Sequence, residues 1–452
     1  MKSINPFTTL PIKEYTGHTA EETGRIIRDV QLEWLKWKET TFVERGKLFH
    51  KAAQILRSKK DQYARLITEE MGKIIRESMA EVEKCAHACD YFADHAEELL
   101  KDEVIPSDAF RSIVVFQPLG VILAVMPWNF PFWQVFRFAI PSLMAGNAAV
   151  LKHASNVPGC GQAIEEIFHE AGFPANIFRT LMISSDQVKS VINNPAIVAV
   201  TLTGSEDAGS KVASEAAKNI KKAVLELGGS DPFIILEDAD MEKAVSTAVT
   251  ARMINQGQSC IAAKRFIVVE SRVAEFEEKM KKVFSGLKAG DPLDPETQVG
   301  PMARKDLVDD LDSIVRDSLK QGARLIIGGK RPGYNGFFYL PTILGDVKKG
   351  MPVYEKETFG PVVAIISVKD EDEAIAVAND SEFGLGGSVW TNNLQRGEAV
   401  ARKIDTGAVF VNGLTKSDPR LPFGGIKKSG YGRELAGYGI KEFVNIKTIW
   451  MG

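Results

Sequence analysis

Three short stretches carry side chains able to do covalent or proton-transfer chemistry. In "NQGQSCIAAKRF", Cys260 follows a Gly-Gln-Ser turn and precedes "KRFIVVE", which reads as a strand. A thiol there is either a small buried hydrophobe or a nucleophile. As a nucleophile it must ionise from a pKa of about 8.5, helped by a cation, a helix N-terminus or a bound charge; Lys264 and Arg265 follow closely. In "VLELGGSDP", Glu226 lies in an apolar strand, where a carboxylate is costly to bury unless paired or used. Three roles fit it. It follows Gly204 by roughly 20 residues, near the spacing of an acid that binds a nucleotide ribose. It could equally be a general base whose pKa burial has raised, or a satisfied structural glutamate. In "MPWNFPFWQVFR", Pro127 and Pro131 stiffen the loop around Asn129 and fix where its amide points. A rigid amide donor suits an oxyanion hole; a turn asparagine is the plain alternative.

A fourth stretch raises a phosphate question. "VTLTGSEDAGSKV" is strand, glycine turn, helix, with Gly204 and Gly209 in a G-x-x-x-x-G frame. Ser210-Lys211 reverses the Lys-Ser/Thr order of a Walker A loop, and G-x-G-x-x-G is missing. What remains is a helix N-terminus with Ser205 near the cap, suited to a pyrophosphate, or an ordinary tight turn. "EKCAHACD" invites a metal, but His87 falls off the helical face shared by Cys85 and Cys89, and no second ligand cluster is visible. A packed helix face is the expectation, with no metal.

The elements that must position these residues fall into two textures. Residues 20–104 carry apolar residues at three- and four-residue spacing among many charges, which predicts three helices. No proline interrupts them, so each is expected unbroken. After Pro106, "RSIVVFQPLGVILAVMPWNFPF" is β-branched and proline-punctuated, as strands and turns are. Strands and helices then alternate through "AAVLKHA", "GCGQAIEEIFHEAG", "AIVAVTLTGS", "DAGSKVASEAAKN" and "KKAVLELGG", which indicates a parallel sheet covered on both faces. "DPFIILEDADMEKAVSTAV" starts a second α/β series, so a domain boundary is placed near residues 228–232. The C-terminal "EFVNIKTIW" looks like a strand in need of a partner, within the chain or on another subunit.

Bulk numbers narrow the classes. The 452 residues suit two or three domains. With 56 basic against 59 acidic residues and a net charge of -3, no electrostatic footprint favours nucleic acid or an anionic membrane. No signal-peptide core and no apolar run of membrane-spanning length is present, and four cysteines are too few for a disulfide framework. A cytoplasmic protein is expected.

"PWNFPFWQVFR", "LTGSEDAG", "LELGGSDP", "GQSC", "ETFGPV" and "PFGGIKKSGYGRE" occur in the order of the aldehyde dehydrogenase superfamily, which the chain resembles from about residue 4 to 452. "LKHASNVPGC", "ELGGSDPFI", "GPMAR" and "ANDSEFGL" are most similar to its short bacterial succinate-semialdehyde dehydrogenases. The resemblance implies an α/β fold with a Rossmann-like dinucleotide-binding domain (1–110 and 127–229), an α/β catalytic domain (230–418) and a small β oligomerisation element (111–126 and 432–452). It also implies a homodimer or homotetramer and NAD or NADP as cofactor. Carried onto this sequence, the nucleophile is Cys260, the general base Glu226 and the oxyanion donor Asn129. Cofactor contacts fall on Trp128, Lys152, Ser155, Gly204, Ser205, Glu357 and Phe359. The implied reaction passes through a Cys260 thiohemiacetal to a thioester, which Glu226-activated water hydrolyses. A broad-range aldehyde dehydrogenase, a coenzyme A-acylating enzyme and a non-catalytic binding protein are the alternatives.

Substrate and cofactor choice turn on a few positions. A succinate-semialdehyde pocket must hold a distal carboxylate, preferably with arginine. Arg137 matches one such arginine of the subfamily, whereas a second, six residues before the nucleophile, is replaced by Ile254. Arg420 and Ser417, on the loop expected at the substrate entrance beside Phe423, are expected to compensate. NAD-preferring relatives often carry glutamate at the position of Ser155; with His153 and Ser155 instead, NADP should be accepted as well as NAD.

Overall fold

The computed structural model describes residues 1–452. The helical opening contains four helices: α1 Ala20–Trp37, α2 Phe42–Ser58, α3 Lys60–Met71 and α4 Ile75–Leu99. Capping boxes start the first two, Thr19 with Glu22 and Thr41 with Glu44, satisfying N–H groups that have no partner within the helix. The stretch 43–72, expected as one helix, bends at Lys59 (φ -109°, ψ 21°). α2 runs on to a fifth helix, α5 Trp133–Met144, whereas α3 turns toward the N-terminal strand Lys2–Ile4. Both halves share α4 and the helix Pro158–Ala171 as packing partners, and no proline or glycine stands at the bend.

α5 begins directly after the stretch that reads as strands and turns, in a segment to which the sequence reading assigns no element. All of its residues are buried, Gln134, Arg137 and Ser142 included, so no solvent-facing side marks it as a surface helix. Its start is tied to α4: the backbone N–H groups of Phe132 and Trp133 both donate to Glu81 Oε1 at 2.9 Å. Glu81 is also ion-paired with Lys73, whose side chain is fully buried and lies over the Phe130 ring at 3.7 Å. Cys85 and Cys89 are buried on the inner face of α4, as the spacing suggested.

Three sheets follow. The first runs, edge to edge, through Gly430–Tyr431, Lys222–Glu226, Ile197–Thr203, Val121–Met126, Ala148–His153 and Phe178–Thr180; all neighbours are parallel except the first pair. The second has seven strands, from Arg324–Ile327 to Ala408–Val411, with Pro232–Ile235 and Arg265–Val269 adjacent near its centre. The third joins Val444–Met451, Arg111–Pro118 and Glu103–Val104 in antiparallel array. The C-terminal strand thus finds its partner within its own chain.

The expected extent of the oligomerisation element, 111–126, needs correction. Only Arg111–Pro118 belongs to the third sheet. Val121–Met126 is almost wholly buried and sits at the middle of the first sheet between two parallel strands. The reason is visible in composition: "VILAVM" is apolar at every position, as a strand covered on both faces must be, whereas "RSIVVFQP" mixes polar residues for a half-exposed ribbon.

Replacing Glu81 by alanine leaves Lys73 buried without its carboxylate and two N–H groups without an acceptor. A loss of about 3–5 kcal/mol is expected, seen as a large drop in thermal midpoint. A change of less than a degree or so would show that Glu81 does not anchor α4 to α5.

Candidate active site

In the first sheet the strand order reverses on either side of Val121–Met126, so the connections leaving the carboxyl ends of neighbouring strands diverge and open a crevice. Pro127-Trp128-Asn129 leaves one strand and Gly204-Ser205 another. A cavity of about 1000 Å³ occupies this crevice and reaches Cys260. Along it lie Trp128, Lys152, Gly204, Ser205, Glu357 and Phe359, as expected of cofactor contacts. Ser205 caps the helix Glu206–Lys218 by accepting the Ala208 N–H at 3.3 Å. The Lys152 ammonium makes one long contact, 3.5 Å to Ser185 Oγ, and burial pulls its pKa below the ordinary lysine value. Trp128 and Phe359 meet edge to face at 5.9 Å. A lysine without a carboxylate partner, a capped helix N-terminus and an aromatic end fit a dinucleotide.

Two expected cofactor residues sit differently. Ser155 is exposed on the turn after Ala148–His153; its neighbour Ala154 lines the cavity, and Ser155 stands at the rim. His153 turns inward, with Nε2 at 2.9 Å from the Pro131 carbonyl, and burial lowers its pKa to about 4. It is therefore neutral at physiological pH and contributes no charge to a phosphate.

The thiol sits after a strained turn. Asn255, Gln256 and Gly257 all have positive φ (50°, 54° and 76°), on the order of 1–2 kcal/mol each for the two that are not glycine. Arg252, fully buried, holds the turn by donating to the carbonyls of Gly257 (2.7 Å), Ala263 (2.9 Å) and Thr358 (3.3 Å). A side chain at Gly257 would collide with the Gly360 carbonyl. Beyond the thiol, Lys264 Nζ donates to the carbonyls of Ser259, Cys260 and Ala262 at 2.8–3.2 Å and lies 3.5 Å from Glu357. Arg265 points elsewhere, to the carbonyls of Ser230, Val377 and Ala378.

Asn129 is brought to the same place. Its Nδ2 donates to the Gln258 carbonyl at 3.1 Å, and its own carbonyl accepts from Asn255 Nδ2 at 2.7 Å. The backbone N–H of Cys260 donates to no main-chain carbonyl. One Asn129 amide hydrogen and the Cys260 N–H thus remain available as donors, and both residues line the same cavity. Gly229 passes so close that a Cβ there would lie 2.6 Å from the Cys260 carbonyl, which ties the "LGG" segment after Glu226 to the thiol loop.

Glu226 is 2% exposed, and neither carboxylate oxygen has a hydrogen-bond partner. Burial and the nearby Glu434 carboxylate push its pKa well up, against the pull of Arg137 and Arg433. Burial likewise raises the Cys260 thiol to about 12, with Arg137 and Lys264 opposing and Glu357 and Glu226 adding to the rise. Both shifts favour the protonated forms of thiol and carboxyl. A proton can leave the thiol only when charge or solvation in the cavity changes.

Arg137 does not stand free. It is ion-paired with the buried Glu434, donates weakly to Thr203 Oγ1 at 3.4 Å, and stacks on Phe423 at 4.5 Å. Arg420 does not supply a second cation: its exposed guanidinium is bidentate to Asp418 (2.6 and 2.8 Å), which turns it to the surface. Ser417 does face inward, accepting from Lys84 Nζ at 2.7 Å and Trp133 Nε1 at 3.1 Å. Sequence reasoning missed Arg252, Glu434 and Lys84. Lys84 lies inside "EKCAHACD" and Glu434 inside "SGYGRE", but Lys84 touches Ser417 and Glu434 touches Arg137, hundreds of positions away, and the Arg252 contacts to nearby carbonyls depend on the turn it holds.

The chain matches the model of the aldehyde dehydrogenase family over residues 1–449. It is 52% identical over 449 residues to a probable succinate-semialdehyde dehydrogenase [NADP(+)] of Synechocystis sp., covering 99% of both chains. It is 46% identical over 454 residues to succinate-semialdehyde dehydrogenase [NADP(+)] 1 of Mycobacterium tuberculosis, again over 99% of both. Among solved structures, the succinic semialdehyde dehydrogenase of Streptococcus pyogenes in complex with NADP+ superposes with a TM-score of 0.98 at 42% identity, covering 100% of this chain and 99% of that one.

Two outcomes test the electrostatics. With a thiol near 12, alkylation of Cys260 by iodoacetamide in the absence of cofactor should accelerate about tenfold per pH unit from pH 7 to 10; a plateau below pH 8 would show an ionised thiol. Glu226→Gln removes a carboxyl whose folded-state pKa is raised. Such a group is neutral in the fold but ionises in the unfolded chain above about pH 4.5, so it weakens the fold increasingly as pH rises. The variant should lose about 10²–10⁴-fold in turnover and gain on the order of 1–2 °C in midpoint at pH 8 relative to pH 5. An equal or opposite shift at the two pH values would remove the buried-acid description.

Proposed function

Since the chain belongs to the aldehyde dehydrogenase family, we propose that it oxidises succinate semialdehyde to succinate with NADP as hydride acceptor. The observation that carries the reading is a crevice cavity lined by Cys260 and Asn129, with the unpartnered Glu226 acting on the thiol electrostatically from the strand just before the cavity-lining Leu227 and Gly228. The relatives named above, all succinate-semialdehyde dehydrogenases and described with NADP, support this choice of substrate and cofactor. So does the absence of an acidic side chain at Ser155, where a carboxylate would repel a ribose 2′-phosphate.

In this reading filling of the cavity lets the Glu226 carboxyl and the Cys260 thiol lose their protons to solvent, and the Cys260 thiolate adds to the aldehyde carbon, forming a C–S bond. The resulting oxyanion is held by Asn129 Nδ2–H and the Cys260 N–H. The bound dinucleotide supplies the acceptor for the hydride leaving that carbon, and a thioester on Cys260 remains. Glu226 then removes a proton from water, which attacks the thioester. The C–S bond breaks, the sulfur departs as thiolate and the acid is released. Raised basicity suits Glu226 to this role: a stronger base draws the proton more effectively from water. Lys152, Ser205 and Glu357 hold the dinucleotide, with Trp128 and Phe359 as apolar walls. Residues 1–118 and 121–229 carry the dinucleotide site apart from the third-sheet strands, and 230–418 carries the thiol. Val444–Met451 and Arg111–Pro118, with Ile446, Ile449 and Trp450 exposed, offer the face for a homodimer or homotetramer.

A broad-range aldehyde dehydrogenase is the competing reading, because Glu434 already neutralises Arg137. Initial rates of NADPH formation decide between them. A kcat/KM for succinate semialdehyde at least tenfold above that for butyraldehyde and hexanal is expected, without coenzyme A. Equal rates with the uncharged aldehydes would leave a general aldehyde dehydrogenase, and a requirement for coenzyme A would mean acyl transfer.

A further inference from the structure

We infer that the Lys84 ammonium is the second cation that fixes the distal carboxylate of the substrate, acting with the Ser417 hydroxyl beside Arg137. This deepens the succinate-semialdehyde reading and rests on it. Lys84 lies on α4, half-buried, 2.7 Å from Ser417 Oγ and over the Trp133 ring at 4.3 Å. Trp133 stands one helical turn before Arg137 on α5 and four residues after Asn129. The three cation-side groups therefore flank the segment that carries the oxyanion donor.

The charges around Lys84 leave it without a counter-ion. Glu81 and Cys85 face it from its own helix, Arg137 from α5 and Asp418 from the loop. Both carboxylates are committed elsewhere: Glu81 to Lys73 and the α5 backbone, Asp418 to both sides of the Arg420 guanidinium. Arg137 is ion-paired with Glu434, and burial favours the neutral form of Glu226. The cluster thus carries one positive charge more than its partners neutralise. Burial, with the Arg137 charge next, draws the ammonium down to about 8, as a cation awaiting an anion should be.

Hydrogen-bond capacity agrees. Ser417 Oγ accepts from Lys84 and from Trp133 Nε1, which uses both its lone pairs, and its own proton has no acceptor within the protein. Lys84 keeps two further N–H donors. Free donors of positive or neutral character converging on one spot suit a carboxylate. An aldehyde bearing a terminal carboxylate would extend from Cys260 past Arg137 toward this spot. Arg137 cannot report on the contact cleanly, because its removal strands Glu434 and disturbs Glu226.

The test is kcat/KM for succinate semialdehyde and for butyraldehyde in the wild type, Lys84→Met, Lys84→Gln and Lys84→Arg. In the first two variants the ratio of the two constants should fall about tenfold or more, mainly through KM for succinate semialdehyde, and Lys84→Arg should restore much of it. Lys84→Gln keeps donors toward Ser417 without charge, so it separates the ammonium from its scaffold. A wild type that prefers succinate semialdehyde, with an unchanged ratio in Lys84→Gln, overturns the inference and leaves the substrate reading intact. A wild type with no preference overturns the substrate reading itself.

Discussion

Burial of Glu226 without a hydrogen-bond partner is the constraint around which the rest of the site is built. A carboxylate taken from water and left unpaired is so costly that the group stays protonated instead. Glu434 reinforces this by placing a second buried carboxylate nearby, and Arg137 absorbs part of that charge. Three buried titratable groups from three parts of the chain thus fix one another's state. Any change in Arg137 is felt at Glu434 and then at Glu226, so a single arginine cannot be assigned to substrate alone. Cys260 is only partly buried and lines the cavity, yet the apolar surroundings still push its thiol up to about 12. The site is poised to shift protons when its cavity fills, because occupancy replaces water and brings charge.

Holding a reactive thiol in such a place requires an ordered backbone, and the order comes from cations bonded to carbonyls. Arg252 and Lys264 together donate to six main-chain oxygens on either side of Cys260. Neither is spent on a close bidentate carboxylate pair; burial lowers both pKa values, Arg252 to about 9. Carbonyl oxygens carry partial charge only, so these side chains stiffen three consecutive left-handed residues without delivering a counter-charge that would cancel their influence on the sulfur. Asn129 joins the same network through Asn255 and Gln258, so Asn129 and the Cys260 loop are set by one framework. That framework spans both large sheets, since Arg252 follows a strand of the second and Asn129 follows a strand of the first.

The cavity between the sheets divides its polar work by position. Lys152, Ser205, Glu357 and Phe359 line the crevice, whereas Lys84, Arg137 and Ser417 form a separate cluster outside it. α4 and α5 matter more here than their position suggests. Glu81 fastens the start of α5 to α4, and that junction sets Lys84, Trp133 and Arg137 relative to one another.

What the sequence by itself determined was local and short-range in nature. Apolar runs such as "VILAVM" and "AAVLKH", glycine turns and capping residues specify strands, their burial and the Ser205-capped helix. Rigid prolines place Asn129, and the ordered motifs identify Cys260 and Glu226. Its errors arose where local pattern carries no information. α5 is buried on every side, polar residues included, so no solvent-facing stripe marks it; the bend at Lys59 has no proline or glycine to announce it; residues 111–126 contain two strands of different sheets. The tertiary structure alone decided which charges cancel. Arg137 and Glu434, Arg420 and Asp418, and the isolation of Lys84 depend on side chains brought together from distant segments, and electrostatic energy follows distance and desolvation in space, which no spacing along the chain reports.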